Sequence, residues 1–315
     1  MIPVDFAIQT GQQHRSYDEL LGLWRAAERL GFTSAWLYDH LVPVGGDLDG
    51  NVFEAWTLLS SLLSRTERIR GGILVSCVMY RHPSMVAKQA VTIDHASGGR
   101  VDVGLGSCWN EWEADLYGIP FPPARERSER LVEAIDVLRT MWAPGEHNHD
   151  GRYYRISGAH ASPQPVQRPG PPVWVGGMGA RTAAIVAAKA DGWNTIFVTL
   201  DEYRDHLDRV RRACDEIGRD HKTLRLSFGQ RVSVDRDERR AEQRARAQYE
   251  RNDVPFDEHI RERFIFGNAL QVAERIAAFR DLGVEQFVLW HEPPFDAEAE
   301  EQIREFAETV FPLLR

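Results

Sequence analysis

One pair of neighbouring residues, Asp39 and His40, combines a carboxylate with an imidazole, the side chain that titrates nearest neutrality. Asp39 and His40 follow the short segment 34–37, which predicts a strand, after the single residue Tyr38. Imidazole can donate or accept a proton at neutral pH, so the pair suits proton transfer or a hydrogen bond to a cofactor ring. A lone histidine is more often structural, but its place directly after a strand favours function. We therefore predict Asp39 and His40 as catalytic residues.

A glycine-rich segment could hold a phosphate group. It comprises Gly176, Gly177, Met178 and Gly179, which follow one predicted strand and open a helix that carries Arg181 in its first turn. Backbone N–H groups at a helix start bind anions with the help of the helix dipole. The alternative is a tight turn that needs glycine only for its backbone shape. We predict a cofactor phosphate site here, with Arg181 as counter-charge.

The segment after the fourth predicted strand offers residues for a pocket wall. Gly104 and Gly106 lack the third glycine and the later acidic residue of a dinucleotide fingerprint, which excludes a Rossmann-type site. They would instead let a flat ring lie close to the strand end. Ser107 is predicted to bind the cofactor beside them. The residues predicted to shape or polarise the substrate pocket are Trp109, Asn110 and Glu111, although Trp109 could equally be packed under a loop.

These candidates need a scaffold, and the chain supplies a regular one. Short β-branched segments alternate with longer helical patterns, and the predicted strands are 4–8, 34–37, 72–77, 101–105, 173–175, 193–197, 224–230 and 286–290. Repeated βα units form a parallel sheet, and eight of them predict an α/β fold closed into a (β/α)8 TIM barrel. Functional residues of such barrels lie at the C-terminal ends of the strands, where all the candidates fall.

Two segments interrupt the alternation, after the fourth and seventh predicted strands. Residues 144–172 are rich in Gly, Pro and His, and the Asp150-Gly151 pair predicts a small hairpin. Residues 235–264 are highly charged and loosely helical, and they form either a lid over the C-terminal face or a solvated connecting helix. We expect one barrel domain over residues 1–315.

Composition excludes several classes of protein. The 315 residues are 43% hydrophobic and 27% charged, as in ordinary globular proteins. A net charge of −9 with interleaved signs argues against nucleic acid. No apolar run is long enough to span a membrane, and no leader peptide is recognisable, so we expect a cytoplasmic protein. The wide spacing of Cys77, Cys108 and Cys214 argues against a disulfide, and His147 and His149 lack a third metal ligand.

Several segments resemble the luciferase-like monooxygenase superfamily, particularly its members that use the deazaflavin coenzyme F420. They include GFTSAWLYDHLVP, GRYYR, PPVWVGGMGARTAAIVAAKADGWN, QVAERIAAFRDLGVEQFVL and the whole of residues 68–121. The resemblance covers nearly the whole chain. It implies that a reduced isoalloxazine-type ring lies across the C-terminal face of the barrel, with its tail phosphate near Gly176 and Gly177.

The resemblance also implies a non-prolyl cis peptide in a bulge of the third strand. Here it would fall at or near Leu74-Val75, and the residues predicted to contact the ring there are Leu74, Val75 and Ser76. Ser107 stands where the sugar-phosphate dehydrogenases of the family carry a glutamate, which argues against that substrate.

The main hypothesis is hydride transfer between coenzyme F420 and a small organic substrate, with His40 as general acid or base. An F420 reductase or a flavin reductase would supply electrons, and the resemblance implies a homodimer. One alternative is an FMNH2-dependent monooxygenase fed by a separate flavin reductase. The other is a non-catalytic flavin-binding barrel.

Overall fold

The computed structural model describes residues 4–250, 254–291 and 298–314 and contains a parallel strand barrel surrounded by helices. The strands are β1 (Asp5–Gln9), β2 (Ser34–Leu37), β3 (Arg70–Cys77), β4 (Val101–Gly106), β5 (Glu146–Asp150), β6 (Arg155–His160), β7 (Val173–Gly176), β8 (Gly192–Ile196), β9 (Arg225–Val234), β10 (Ile265–Gly267) and β11 (Gln286–Trp290). The helices are α1 (Tyr17–Leu30), α2 (Ala55–Leu63), α3 (Pro83–Ser97), α4 (Glu111–Leu116), α5 (Ala124–Trp142), α6 (Ala180–Lys189), α7 (Leu200–Glu216), α8 (Glu238–Glu250), α9 (Glu258–Glu262), α10 (Ala269–Asp281), α11 (Ala299–Thr309) and α12 (Phe311–Leu314), with a short 3-10 helix at His221–Thr223.

The barrel closes through parallel pairing alone. The strands follow the order β1-β2-β3-β4-β7-β8-β9-β11, and β11 pairs with β1 to complete the circle. This closure confirms the predicted (β/α)8 barrel. Strand β9 runs beyond its predicted end at residue 230 to Val234, because β10 adds a parallel partner to the extension.

Local sequence signals set the element boundaries. At the start of α1, the Ser16 side chain accepts a hydrogen bond from the Glu19 N–H, and the Glu19 carboxylate accepts one from the Ser16 N–H at 2.7 Å. The helix ends at Gly31, whose φ of 91° lies in the left-handed region that glycine tolerates. The predicted capping box and glycine stop are therefore both confirmed.

A small apolar cluster fills the inside of the barrel. Trp36 and Trp174 meet edge to face with their ring centroids 6.0 Å apart, and Leu74, Val288 and Trp290 complete the cluster. Aromatic pairs in this arrangement stabilise a core beyond the area that they bury. A separate and larger cluster lies between the strands and the outer helices. Because the interior is packed, open space for a ligand lies at the strand ends.

Both segments that interrupt the alternation have structure of their own. Strands β5 and β6 form an antiparallel hairpin, in which Asp150 pairs with Arg155. In the later segment, helices α8 and α9 enclose an aromatic cluster of Tyr249, Phe256 and Phe264. This cluster is distinct from the barrel core.

Candidate functional site

A cavity of about 550 Å³ opens at the C-terminal ends of the barrel strands. Its wall comes from the ends of β2, β3, β4, β7, β8 and β11. The predicted site residues that line it are Asp39, His40, Leu74, Val75, Gly106, Ser107, Trp109, Asn110, Gly176, Gly177 and Met178. The structure thus brings residues from distant parts of the sequence to one site of a size that suits a cofactor or substrate.

Five predicted site residues lie outside this wall. Glu111 and Arg181 are exposed residues in the first turns of α4 and α6. The Ser76 hydroxyl is engaged behind the wall, and Gly179 is the N-cap residue of α6. A side chain at Gly104 would lie 2.2 Å from the carbonyl oxygen of the facing strand, so this glycine makes room for backbone and not for a ring.

His40 is held by a glutamate that the sequence reasoning missed. Its Nδ1 lies 2.8 Å from the carboxylate of Glu113, whose side chain is fully buried. The same carboxylate accepts hydrogen bonds from the Tyr80 hydroxyl at 2.8 Å, from the Val42 N–H at 3.2 Å and from the Leu41 N–H. Because Nδ1 is engaged, Nε2 is the ring nitrogen left for a ligand in the cavity.

The electrostatics of this cluster keep its carboxylate ionised. Burial alone would raise the pKa of Glu113, but hydrogen bonds from His40, Leu41 and Tyr80 outweigh burial and hold the pKa below its usual range. Burial, together with the contact to Glu113, raises the pKa of the Tyr80 hydroxyl. Tyr80 therefore stays protonated and donates to an anionic Glu113, which in turn fixes the orientation of His40.

Helix α4 brings Glu113 to this position. The Oδ1 atom of Asn110 accepts a hydrogen bond from the Glu113 N–H at 3.3 Å and caps the helix. The spacing Asn-x-x-Glu is a helix-start signal that the sequence offered. With only six residues, α4 was too short for its buried face to be read from periodicity.

Asp39 has a different partner from the one expected. Its carboxylate accepts hydrogen bonds from the Ser76 hydroxyl at 2.8 Å, the Cys77 N–H at 2.9 Å and both terminal nitrogens of Arg81 at 2.6 and 3.0 Å. None of these bonds involves His40. Asp39 therefore anchors the end of β3, and the carboxylate that contacts the imidazole belongs to Glu113.

A bulge in β3 forms one side of the cavity. The Leu74-Val75 peptide bond is cis, as the resemblance implied, and the register against β4 shifts between Ile73 and Ser76. Added side chains at Gly106 and Gly176 would lie 2.5 and 2.8 Å from the methyl groups of Val75. These two glycines therefore make room for Val75, which lines the cavity between them.

The expectation that the chain has no disulfide is wrong. Cys77, at the end of β3, is bonded to Cys108, just after β4, with their Cα atoms 5.1 Å apart. The two cysteines are 31 positions apart in the sequence, and the chain between them forms α3 and β4, which brings it back to the neighbouring parallel strand. Wide spacing in sequence therefore does not separate cysteines at adjacent strand ends. Cys214 is buried and free.

The start of α6 lies beside the cavity and has no side-chain cap. Gly177 adopts a φ of 132°, and its N–H donates to the Asn194 carbonyl, so it is not available to a phosphate. The N-cap residue Gly179 has no side chain to occupy the first amides of the helix. Those amides, with the helix dipole, remain for an anionic group.

Two polar atoms in the wall, the Thr195 hydroxyl and Trp290 Nε1, have no hydrogen-bond partner among the described residues. The Thr195 hydroxyl is buried at the end of β8 and has no hydrogen-bond partner within the described residues. A buried hydroxyl normally finds a partner. It is therefore an anchoring point for a polar ligand atom. Thr195, Phe197 and Trp290 also line the cavity and were not predicted, because none of them carries a charge or belongs to a glycine-rich turn.

Neither a metal site nor a membrane-spanning helix is found in the part of the chain that the structure describes. No group of three or more His, Cys, Asp or Glu residues there could hold a metal ion. No helix among residues 4–250, 254–291 and 298–314 is long and apolar enough to cross a membrane.

A barrel with this site at its strand ends belongs to the TIM-barrel class, and comparison with known proteins identifies the family. The family model for luciferase-like monooxygenase matches residues 1–311. The chain belongs to the luciferase-like monooxygenase family, which confirms the resemblance seen in the sequence.

Individual relatives are consistent with this assignment. An F420-dependent glucose-6-phosphate dehydrogenase of Microbacterium testaceum is 28% identical over 100% of this chain and 98% of the relative. An F420-dependent hydroxymycolic acid dehydrogenase of Mycobacterium tuberculosis is 33% identical over 56% of this chain and 48% of the relative. The structure of an F420-dependent secondary alcohol dehydrogenase with an F420-acetone adduct superposes with a TM-score of 0.88, at 21% identity and 99% coverage of both chains. At that identity the likeness establishes the fold.

Proposed function

We propose that this protein is an oxidoreductase that transfers a hydride between coenzyme F420 and a small organic substrate. The observation that carries the proposal is the His40–Glu113 pair, which faces the same cavity as the Val75 bulge. The names of the relatives from Microbacterium testaceum and Mycobacterium tuberculosis, both F420-dependent dehydrogenases, support the choice of coenzyme.

The residues present fit such a coenzyme. The unpaired Thr195 hydroxyl offers a hydrogen bond to a polar ring edge, and Val75 offers an apolar surface for a ring face. The uncapped start of α6 suits the phosphate of the tail. Arg181 is exposed in the same turn and can add a counter-charge.

Bound F420 would supply the hydride chemistry, and the chain would supply orientation and a proton. His40 would hold or accept that proton at Nε2, because Glu113 occupies Nδ1. The neighbouring Trp109 ring, whose centroid lies 5.7 Å from that of His40, would help to exclude water.

A binding titration tests the coenzyme directly. Purified protein is titrated with F420 and with FMN, each oxidised and reduced, while cofactor fluorescence or absorbance is followed. Binding of F420 at about micromolar Kd, with weaker binding of FMN, supports the proposal. Preference for FMNH2 together with oxygen consumption would instead support a two-component monooxygenase. Absence of turnover with every reduced cofactor would favour a non-catalytic barrel.

The role of His40 has its own test. Replacing His40 with Asn removes the proton-transfer group, so turnover should fall by roughly 10²- to 10⁴-fold. The Kd for F420 should change little, because the ring and phosphate contacts assigned above lie elsewhere. Unchanged turnover would remove His40 from the mechanism.

We further propose that the protein acts as a homodimer in the cytoplasm and receives reduced coenzyme from a separate F420 reductase or, for the monooxygenase alternative, a flavin reductase. Family resemblance supports the homodimer, and the sequence alone prompts the expectation of a cytoplasmic location. Size-exclusion chromatography with light scattering distinguishes one chain from two. Coupled turnover with a purified reductase and oxidised coenzyme tests the source of electrons.

A further inference from the structure

The cavity wall carries no cationic side chain of lysine or arginine among the described residues. Its carboxylates are Asp39 and Glu113. Arg81, which contacts Asp39, is also paired with Glu54, so its charge is already compensated on both sides. A phosphorylated or carboxylated substrate would therefore meet two carboxylates and neither lysine nor arginine in the cavity wall.

Large apolar side chains are exposed at the same cavity. Trp109 is 70% exposed, Met178 is 41% exposed and Val44 is 36% exposed, and all three contribute to the wall. Apolar side chains grouped around a concave site are a mark of ligand-binding surfaces. The Trp109 ring meets the ring of His40 edge to face, so the apolar surface reaches the proposed proton-transfer group.

We propose that the substrate is an uncharged and largely apolar carbonyl compound or alcohol, whose apolar part packs on Trp109, Met178 and Val44 beside His40. This inference rests on the proposed function. In the direction of reduction, the carbonyl carbon gains the hydride from reduced F420, and the carbonyl oxygen gains the proton from His40 Nε2. In the reverse direction, the alcohol loses both, and F420 is reduced. The site thereby differs in charge from one that selects a sugar phosphate.

The test compares two ketones that share an aromatic ring and differ in charge, methyl 4-acetylbenzoate and the 4-acetylbenzoate anion. Binding to the F420-loaded protein is followed by tryptophan fluorescence, and turnover by the consumption of reduced F420. The ester should bind at least about 10-fold more tightly than the anion, because the anion must lose its hydration without gaining a cation. Equal or tighter binding of the anion, a preference for glucose 6-phosphate, or no binding of the ester would overturn the inference.

Two tryptophan variants locate the apolar contact. Trp109→Ala should weaken ester binding by at least about 5-fold through lost apolar contact. Trp112→Ala is the matched control, because Trp112 is also exposed, lies on the same segment and does not line the cavity. Loss of F420 affinity in Trp109→Ala with unchanged ester binding would assign Trp109 to the coenzyme and overturn the substrate assignment.

Failure of the two proposals can be told apart. If wild-type protein does not bind F420, the proposed function fails, and the ester and the anion are still compared on the cofactor-free protein. If F420 binds but the anion is preferred, the substrate class alone is wrong.

Discussion

Glu113→Gln is the most informative single substitution, because it keeps the size of the side chain and removes its charge. The carboxylate accepts hydrogen bonds from His40, Tyr80, Leu41 and Val42. Glutamine keeps one acceptor oxygen, so two of these four donors face an amide NH2 group. At roughly 1–3 kcal/mol for each buried donor without an acceptor, unfolding becomes easier by about 2–6 kcal/mol. The lower end is expected, since the Tyr80 hydroxyl can itself accept a hydrogen bond from that amide.

Urea unfolding at pH 7 measures this loss, and turnover should fall at least about 10-fold because His40 loses its anionic partner. Asp115→Asn is the matched control, because Asp115 is an exposed carboxylate on the same helix. The lowered pKa of Glu113 adds a pH dependence. The contribution of the ionised Glu113 side chain to stability is complete above the pKa of the unfolded state, near 4.5, and is lost as the pH falls through the lower pKa of the folded state. The free energies of unfolding of the wild type and of Glu113→Gln therefore converge in acid. A stability loss below about 0.5 kcal/mol at pH 7 would refute the reasoning.

Two further substitutions test the walls of the cavity. Gly176→Ala places a Cβ atom 2.8 Å from Val75 and should cost roughly 1–3 kcal/mol in the free energy of unfolding, whereas Gly22→Ala, with nothing within 4 Å, should stabilise α1 by about 0.5–1 kcal/mol. The double variant Cys77→Ala/Cys108→Ala removes a cross-link between residues 31 positions apart, so its free energy of unfolding should fall by about 3–4 kcal/mol. Equal unfolding midpoints for the variant and the oxidised wild type would contradict this.

The barrel could be predicted from the sequence because the signals for its strands and helices are local and recur along the chain. Each strand is a short apolar segment, and signals such as the capping box at Ser16 and the glycine stop at Gly31 mark the helix between two strands. The extension of β9 to Val234 could not be read in the same way, because it depends on pairing with β10 more than thirty residues later.

The functional site could be predicted only in part, because some of its contacts depend on the folded chain. The position of His40 follows from its place after β2, and most residues chosen by that rule do line the cavity. Its partner could not be chosen, because Glu113 and Asp39 are both carboxylates and only the folded chain decides which one reaches Nδ1. The bond between Cys77 and Cys108 was missed because contact between strand ends depends on barrel register and not on distance along the chain.

The disulfide makes the chemical identity of the cavity wall depend on the surroundings of the protein. Cys77 and Cys108 both face the cavity, so a thiol buffer would replace one cross-link with two nucleophilic sulfur atoms next to the substrate. Glutathione in a reducing compartment would act in the same direction. Kinetic constants from protein purified with and without reductant therefore describe two different covalent species. Counting free thiols in each preparation establishes which of the two species a given rate belongs to.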